Sequence, residues 1–223
     1  MKAKLVSSGL LVMVFAAFLC APAYSDNPPT IYTWTGIWRS ISLVSLPRLE
    51  ERFTNPKAKK LARKTIKTVD ALHKIWKSNE DEIQKEYLIE ATQEAKLLEA
   101  ASTTMSEEKA YEVLKEVSAD FKVKLAHCRK HPKKMGSAVN VEIKVKDSSG
   151  DVDGWQVFHV LRGLKIYANK KGAPLPKLSN PAKGSVSVGR HLIWAKKGDM
   201  KTKEVAYRIG FGKDDAVIEL PIE

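Results

Sequence analysis

The stretch AVNVEIKVK, residues 138–146, marks the point at which the pattern of apolar residues changes. Its apolar residues fall at every second position, which places all of them on one face of a β-strand. They are Val139, Val141, Ile143 and Val145. Between about residue 55 and Pro132 the apolar residues instead recur at helical spacing. The fold is therefore expected to change class close to Pro132.

Upstream of this point, the first helix is expected to open with Asn55 as its N-cap and Pro56 at its first position, the places these residue types favour. Its apolar stripe is Leu61, Thr65, Val69, Leu72 and Trp76. Such a stripe must pack against a neighbour, because a single helix cannot bury it.

Two more helices are expected before Pro132. One follows Ser78 and Asp81, which resemble a capping pair, and its stripe is Ile83, Tyr87, Ala91 and Leu98. The other starts at Ser106 and ends before Pro132. Acidic residues in its first turn suit the helix dipole, and its stripe is Ala110, Leu114, Val117, Phe121 and Leu125. Short connections predict antiparallel neighbours in a bundle.

Downstream, six more runs have the composition of strands, separated by turn residues. They are GWQVFHV, LKIYA, SVSV, RHLIWAKK, EVAYRIGF and AVIELPI. The sequence therefore predicts an α+β protein, in which an N-terminal antiparallel helical bundle is followed by a C-terminal seven-stranded antiparallel β-sandwich. The expected boundaries are 26–131 for the helical domain, 132–137 for a linker and 138–223 for the sandwich.

Residues 139–223 carry a family resemblance. The run VEIKVKDSSGDVDGWQVF, followed by VGRHLIWAKKG, resembles the carboxypeptidase regulatory-like and transthyretin-like β-sandwich modules. Gly189, Leu192 and Trp194 would hold the places of the family's glycine-led strand, and His191 stands where the family often has an aromatic residue. The resemblance implies a non-enzymatic module used for binding, anchoring or folding. It does not extend to the helical half.

The first 25 residues have the layout of a signal peptide. Lys2 and Lys4 precede the apolar run LLVMVFAAFL, and small residues follow before a cleavage point expected near Ser25–Asp26. Cleavage would remove Cys20 and leave Cys128 alone, so no internal disulfide is expected. The mature chain contains no apolar run of spanning length. The protein is thus expected to be periplasmic or secreted.

The charge balance is positive, with 38 lysines and arginines against 26 acidic residues and a formal net charge of +12. Such a surface favours anionic glycans or lipid headgroups. The lysines are spread along the chain rather than grouped, which also fits a surface that only keeps the protein soluble. The expected partners are an envelope protein or an anionic glycan or lipid surface, and nucleic acid is not expected.

The segment IYTWTGIWRSISLVSLP, residues 31–47, places Trp34 and Trp38 at helical spacing. One interpretation is an interfacial helix that lays both indoles on a membrane surface. The other is a fourth element of the bundle that fills the core, which is the commoner use of an apolar stripe. Gly36 and the β-branched residues also permit a strand.

The segment DSSGDVDGWQVFHV, residues 147–160, approaches the spacing of a calcium loop. Aligning Asp151, Asp153 and Gly154 with the third, fifth and sixth positions puts Ser149 first and Val160 twelfth. The bidentate carboxylate of such a site is therefore missing. Asp, Ser and Gly are also what a tight turn needs, so a turn between strands is favoured.

The run HCRKH supplies metal-ligand candidates, His127, Cys128 and His131, at helical spacing. Basic residues at a helix C-terminus have a dipole explanation as well. The basic neighbours of Cys128 would lower its thiol pKa, which permits a redox or nucleophilic role. A partly buried structural cysteine is the alternative. The other histidines, His73, His159 and His191, look isolated in the sequence.

No nucleophile elbow, P-loop or dinucleotide fingerprint is present in the sequence, and no catalytic residue or cofactor is assigned. A long basic, proline-bearing connection, LRGLKIYANKKGAPLPKLSNPAKG (residues 161–184), is the expected contact region, with Lys165, Tyr167, Lys170 and Lys171 as candidates. The sequence thus predicts an exported, non-catalytic envelope protein that binds or scaffolds a partner. The alternatives are an enzyme that acts on glycans or uses the lone thiol, and a peripheral membrane-surface protein.

Overall fold

The structure is a computed structural model that describes residues 33–131, 139–176, 179–210 and 215–222. The signal peptide predicted for residues 1–25 and the linker predicted for residues 132–137 lie outside the described residues. Within the described ranges the protein is α+β, with helices in the N-terminal half and two β-sheets in the C-terminal half.

Residues 33–131 form five α-helices with two irregular helical segments between them. They are α1 (Trp34–Trp38), a π-helical segment (Arg39–Ser45), α2 (Leu46–Arg52), α3 (Pro56–Trp76), a 3₁₀ segment (Lys77–Glu82), α4 (Lys85–Thr103) and α5 (Glu107–Lys130).

The predicted starts of α3 and α5 are confirmed. The Asn55 side chain accepts a hydrogen bond of 2.8 Å from the backbone N–H of Lys57. Ser106 Oγ accepts one of 3.3 Å from the N–H of Lys109. Both caps satisfy N–H groups that a helix leaves without an internal partner. The residues of the α5 stripe are all buried, and so are those of α3 except Leu61, which is half-buried.

The start predicted for the next helix is wrong. Residues 77–82 form the 3₁₀ segment, and α4 begins only at Lys85. The physical reason is Glu80, whose carboxylate accepts hydrogen bonds from the Thr35 backbone N–H (2.9 Å) and hydroxyl (2.6 Å). This contact holds the segment against the start of α1, and the chain must extend at Ile83 before α4 can start. The predicted stripe is buried, although Ile83, its first residue, precedes α4.

The tryptophans of the first segment pack within the bundle. Trp34 is fully buried, with its ring centroid 4.6 Å from that of Trp76. Trp38 is half-buried; its ring stacks on His73 at 4.1 Å, and its Nε1–H donates to Asp70 at 2.8 Å. The structure therefore has the core arrangement, in which this segment is a further bundle element.

The described residues of the C-terminal half form nine strands and one helix. They are β1 (Val139–Asp147), β2 (Gly150–Asp151), β3 (Gln156–Leu161), α6 (Arg162–Ala168), β4 (Ala173–Pro174), β5 (Ala182–Val186), β6 (Gly189–Lys197), β7 (Met200–Lys201), β8 (Val205–Ile209) and β9 (Asp215–Pro221). In the first sheet, β1 pairs with β2, β5 and β9; the second has the order β4-β3-β6-β7, with β8 also paired to β6.

Three details of the predicted sheet structure need correction. The described strands number nine rather than seven: six of the seven predicted runs are strands, and three further strands are only two residues long. The run LKIYA lies in α6, not in a strand; Leu164 and Ala168 contact the helical core at helical spacing, which a five-residue pattern cannot distinguish from a strand. The sheets are also not purely antiparallel, since β9 runs parallel to β1.

The parallel pair follows from the route of the chain. β8 belongs to the second sheet and β9 to the first, so the chain changes sheets between them. A strand that no hairpin joins to its neighbour can pair with it in either direction. Here the register runs from Asn140 opposite Asp215 to Lys146 opposite Pro221.

The turn interpretation of residues 147–151 is confirmed by the strand register. Asp147 lies opposite Gly150 and Lys146 opposite Asp151. Asp147 Oδ1 accepts a hydrogen bond of 2.7 Å from the Ser149 backbone N–H, which is a local turn contact. Gly150 has a φ of +127°, a conformation that favours glycine. The segment is a tight β-hairpin.

Two apolar clusters stabilise the molecule. One is formed by residues of both sheets and includes Val141, Val157 and Ile193. The other fills the helical half and continues into the sheet half through Leu161, Leu164 and Trp194. The two halves therefore share buried apolar surface. None of the helices in the described ranges has both the length and the apolar composition that crossing a bilayer requires.

Candidate functional site

Strand pairing brings together two histidines that look isolated in the sequence. Leu161 on β3 lies opposite His191 on β6, and His159 lies opposite Ile193. Alternate residues of a strand share a face, so His159 and His191 are diagonal neighbours on one face. Helix α4 places Glu90 beside them, and one ligand atom from each of the three side chains lies within 4.8 Å of the others.

A cavity of about 500 Å³ opens beside this cluster, where α4 meets the two sheets. Its apolar wall includes Leu164, Leu175 and Val186. Glu90, His159 and Ser187 contribute polar groups, and Lys170 and Lys171 of the loop after α6 complete the lining. A mostly apolar cavity with a few convergent polar groups is the usual form of a small-molecule site.

Ser187 holds two members of the cluster. Its hydroxyl donates a hydrogen bond to the carboxylate of Glu90. Its backbone oxygen lies 2.9 Å from Nε2 of His191. A carbonyl oxygen only accepts hydrogen bonds, so Nε2 of the neutral ring carries the proton and Nδ1 keeps the lone pair. Among the described residues, Nδ1 of His191 and Nδ1 of His159 are buried without a hydrogen-bond partner.

Burial determines the protonation of both rings. It lowers the pKa of His159 to about 4. It lowers the pKa of the fully buried His191 to about 3, with a further contribution from His159 itself. Burial disfavours the charged form of imidazole. Both rings are therefore neutral near pH 7, the form in which imidazole nitrogen donates an electron pair.

A second set of buried charges lies on the facing sides of α4 and α5. Lys124 forms an ion pair with Glu94, and both side chains are almost fully buried. The ammonium group also lies over the rings of Phe121 and Tyr87, at 5.0 and 5.2 Å from their centroids. Burial, followed by the charge of Glu94, raises the pKa of Asp120 to about 7. Asp120 accepts a hydrogen bond of 3.1 Å from the backbone N–H of Arg190.

The contact between α5 and the sheet half is also ionic. Glu116 binds the guanidinium groups of Arg162, at the start of α6, and of Arg190 on β6, the latter at 3.1 Å. Together with the Asp120 contact, these bonds fix β6, and hence His191, relative to the helices.

A larger and shallower groove of about 880 Å³ lies over the first sheet. Its lining includes Glu142, which pairs with Lys144 and Lys183, and the exposed Val217. These are ordinary features of a solvated sheet face. The cavity of about 500 Å³ where α4 meets the two sheets, which we call the junction cavity, is the stronger candidate for a ligand site. It combines an apolar wall with buried titratable groups.

The metal candidates predicted at the end of α5 are arranged differently from the expectation. The rings of His127 and His131 are close, with centroids 4.9 Å apart. Nδ1 of the buried His127 lies 3.1 Å from the backbone oxygen of Gly210. Cys128 Sγ accepts a hydrogen bond of 3.1 Å from Nε1 of Trp76, inside the bundle. Among the described residues, the three-ligand cluster is Glu90, His159 and His191 instead.

The contact residues predicted from the sequence are divided between surface and core. Lys170 and Lys171 line the junction cavity. Lys165 pairs with Glu204 at 3.7 Å, and Tyr167 is half-buried against the helical core. Trp34 is fully buried and Trp38 half-buried, so Trp34 has no exposed indole surface.

Sequence reasoning missed Glu90, His159 and His191 as a group. The available signal was that each histidine falls in a strand, but their pairing depends on a register that only the fold supplies. Glu90 gives no signal at all, since it lies in a charged helical segment.

Comparison of the chain with family models, with curated proteins and with solved structures finds no match. The resemblance of residues 139–223 to the carboxypeptidase regulatory-like and transthyretin-like modules thus stays a prediction.

Proposed function

We propose that this chain is an exported, non-catalytic binding protein that holds a small amphiphilic anion in the junction cavity. The observation that carries this proposal is the cavity itself, about 500 Å³ in volume, with apolar and basic residues in its lining. Ligand cavities in proteins commonly measure ~300–1,000 Å³. The signal-like residues 1–25 support export.

The wall of the cavity favours an apolar ligand body. Leu164, Leu175 and Val186 are buried side chains on its lining. Transfer of apolar ligand surface from water to such a wall contributes about 25 cal/mol for each Å². The ligand is therefore expected to have a ring or a short hydrocarbon portion.

The loop after α6 favours a negative group on the ligand. Lys170 and Lys171 follow Asn169, whose left-handed conformation ends the helix at φ 47°. This turn directs the chain along the rim, where both lysines line the cavity. An ammonium group attracts a carboxylate, sulfonate or phosphate without requiring fixed geometry. The basic loop predicted as a contact region thus gains a specific role in this proposal.

We also infer that the two sheets form the predicted β-sandwich. Buried residues of both sheets, such as Val141 and Ile193, belong to one apolar cluster. Packed sheets provide a rigid support for loops that bind ligands.

The test uses anilinonaphthalene sulfonate, a fluorescent amphiphilic anion, titrated into the mature protein. We expect saturable binding to one site. Ala173 is exposed and lines the cavity, so Ala173→Trp should fill the entrance and abolish binding. Ala206→Trp is the matched control, because Ala206 is exposed on β8 and does not line the cavity.

The charge contribution is tested separately. Lys171→Glu should weaken binding several-fold, since a rim charge contributes on the order of 1 kcal/mol. Lys203→Glu makes the same change at an exposed position away from the cavity lining and should have no effect. Equal binding by the wild type and Ala173→Trp would refute the proposal. The helical circular dichroism of each variant must match the wild type, because a loosened core also binds this dye.

A further inference from the structure

We propose that Glu90, His159 and His191 form a binding site for a divalent transition-metal ion of the zinc class. This inference depends on the proposed function only in that the same cavity gives access to the site. The ligand set contains two imidazoles and one carboxylate, a combination that binds zinc in proteins with a position left open for a further ligand.

The spacing of the ligand atoms fits an unloaded site. One atom from each side chain lies within 4.8 Å of the others. Zinc bonds of about 2.0–2.2 Å place two ligands of a tetrahedral site about 3.3 Å apart. The three groups therefore need to close by about 1.5 Å at most, which rotations of the partly exposed Glu90 and His159 side chains toward the buried His191 can supply.

The surroundings of the cluster orient two of the ligands. The Ser187 hydroxyl donates to the Glu90 carboxylate, and the Ser187 backbone oxygen accepts from Nε2 of His191. Metal-binding histidines commonly donate their second ring N–H to a carbonyl or carboxylate, which fixes the tautomer. One residue thus positions two ligands, and we assign Ser187 as a positioning residue for this site.

The unpartnered nitrogens are the second observation that favours a metal ion. Among the described residues, Nδ1 of His191 and Nδ1 of His159 are buried without a hydrogen-bond partner. A buried polar atom left without a partner costs about 1–3 kcal/mol, so native structures rarely retain one without a reason. A cation bound to the lone pair of His191 Nδ1, and to that of His159 Nδ1 in the tautomer that leaves this nitrogen unprotonated, would remove this cost.

The lining of the cavity explains how an ion would reach the site. Glu90 and His159 both line the cavity, whereas His191 is fully buried behind them. An ion held by the three would therefore lie at the cavity wall. Its open position could then accept the anionic group of a ligand, which would add metal coordination to the contacts of Lys170 and Lys171.

The experiment is a titration of the metal-free mature protein with Zn²⁺ alone. The protein is purified with a tag that contains no histidine. Affinity is measured by competition with a chromophoric chelator. Titration with Co²⁺ gives a visible spectrum that reports the coordination. We expect one ion per chain. Glu90→Gln and His159→Gln should each weaken binding at least about tenfold, and Ser187→Ala by about 10–100-fold.

Two variants serve as matched controls. His131→Gln and Cys128→Ser alter the other histidine and thiol cluster, and both should leave the zinc affinity unchanged. Glu90 and His159 are chosen for substitution because both are only partly buried, so their variants should retain the wild-type circular dichroism.

Three results would overturn the metal site. They are no saturable zinc binding by the folded wild type, unchanged affinity in both Glu90→Gln and His159→Gln, and a loss that follows His131→Gln or Cys128→Ser instead. Failure of the metal site is distinguishable from failure of the proposed function. Dye binding without zinc binding would refute only the metal site, and zinc binding without dye binding would refute only the amphiphile cavity.

Discussion

Asp120 is an acidic side chain whose surroundings oppose its ionisation. It is 1% exposed and lies near Glu94, and these two influences raise its pKa to about 7. Lys124 and the N–H of Arg190 act in the opposite direction without cancelling the effect. The folded protein thus keeps a proton on this carboxyl at pH values where the unfolded chain has lost it.

A dependence of stability on pH follows. A group with a raised pKa in the folded state stabilises most below its unfolded pKa, here 3.8, and loses that contribution as the pH rises to about 7. The Asp120→Asn variant carries an amide at this position, which does not titrate in this pH range. The free energy of unfolding of the wild type, relative to Asp120→Asn, should therefore fall between about pH 4 and pH 7, at ~1.4 kcal/mol per unit at most. Urea denaturation of both proteins at several pH values across this range measures this difference in the free energy of unfolding.

Asp151→Asn is the control for this measurement, because Asp151 is an exposed acid in the hairpin. The free energy of unfolding of Asp151→Asn should vary with pH between pH 4 and pH 7 with the same slope as that of the wild type. A constant difference between the wild type and Asp120→Asn from pH 4 to pH 7 would contradict the assignment.

At the residue scale, the sequence predicted burial well where a stripe was long. Val69, Phe121 and Ile143 all lie in the core as their spacing indicates. Asp120 and Lys124 could not be identified, since a charged residue in a helix is normally assumed to face water. Their burial depends on partners, Glu94 and Arg190, that come from distant parts of the chain.

At the scale of the element, the best-defined helix start is that of α3. The Asn55 side chain accepts from the Lys57 N–H at 2.8 Å, and Pro56 occupies the first position. Asn55→Ala removes this bond and should lower the free energy of unfolding by about 1 kcal/mol. Thermal denaturation followed at the helical circular dichroism band measures the loss.

Asn55→Asp is the conservative comparison, because aspartate accepts the same bond and also suits the positive end of the helix. It should retain stability close to that of the wild type. An equal loss in both variants would show that the side-chain bond is not the source of the effect.

Three elements show why local pattern alone was insufficient. α4 begins late because Glu80 binds Thr35, a contact across the bundle. α6 was predicted as a strand because five residues carry too little periodicity. The direction of β9 relative to β1 depends on the route between sheets, which no property of either strand encodes.

At the scale of the whole molecule, the two halves are joined by packing and by charge. The helical core extends into Leu161, Leu164 and Trp194, and Glu116 binds both Arg162 and Arg190. We expect a single cooperative unfolding transition for residues 26–223, observed by calorimetry and equally in helical circular dichroism and tryptophan fluorescence.

Two resolved transitions, one for each half, would contradict this expectation. Glu116→Ala provides a further check. This substitution removes the carboxylate that binds the guanidinium groups of Arg162 and Arg190. The melting temperature of the variant should therefore be lower than that of the wild type, while unfolding remains a single transition. Glu112→Ala is the control, since Glu112 pairs with Lys115 along α5 through half-exposed side chains.

The candidate site belongs to this scale as well. Glu90, His159 and His191 come from one helix and two strands, and only the assembled fold places them within reach of one another. The basic loop could be predicted, because its composition is local. The cavity that it borders could not be predicted.

The parallel pairing of β1 and β9 also has a consequence for biosynthesis. β1 leaves the ribosome early in the second half, but one of its edges is completed only when residues as late as Asp215–Pro221 have been made. Until then a strand with four buried apolar residues has an open edge, the kind that recruits other chains. Lys144 and Lys146 on its polar face oppose such recruitment during this interval. The first sheet therefore acquires its native pairing only after residues 215–221 have been synthesised.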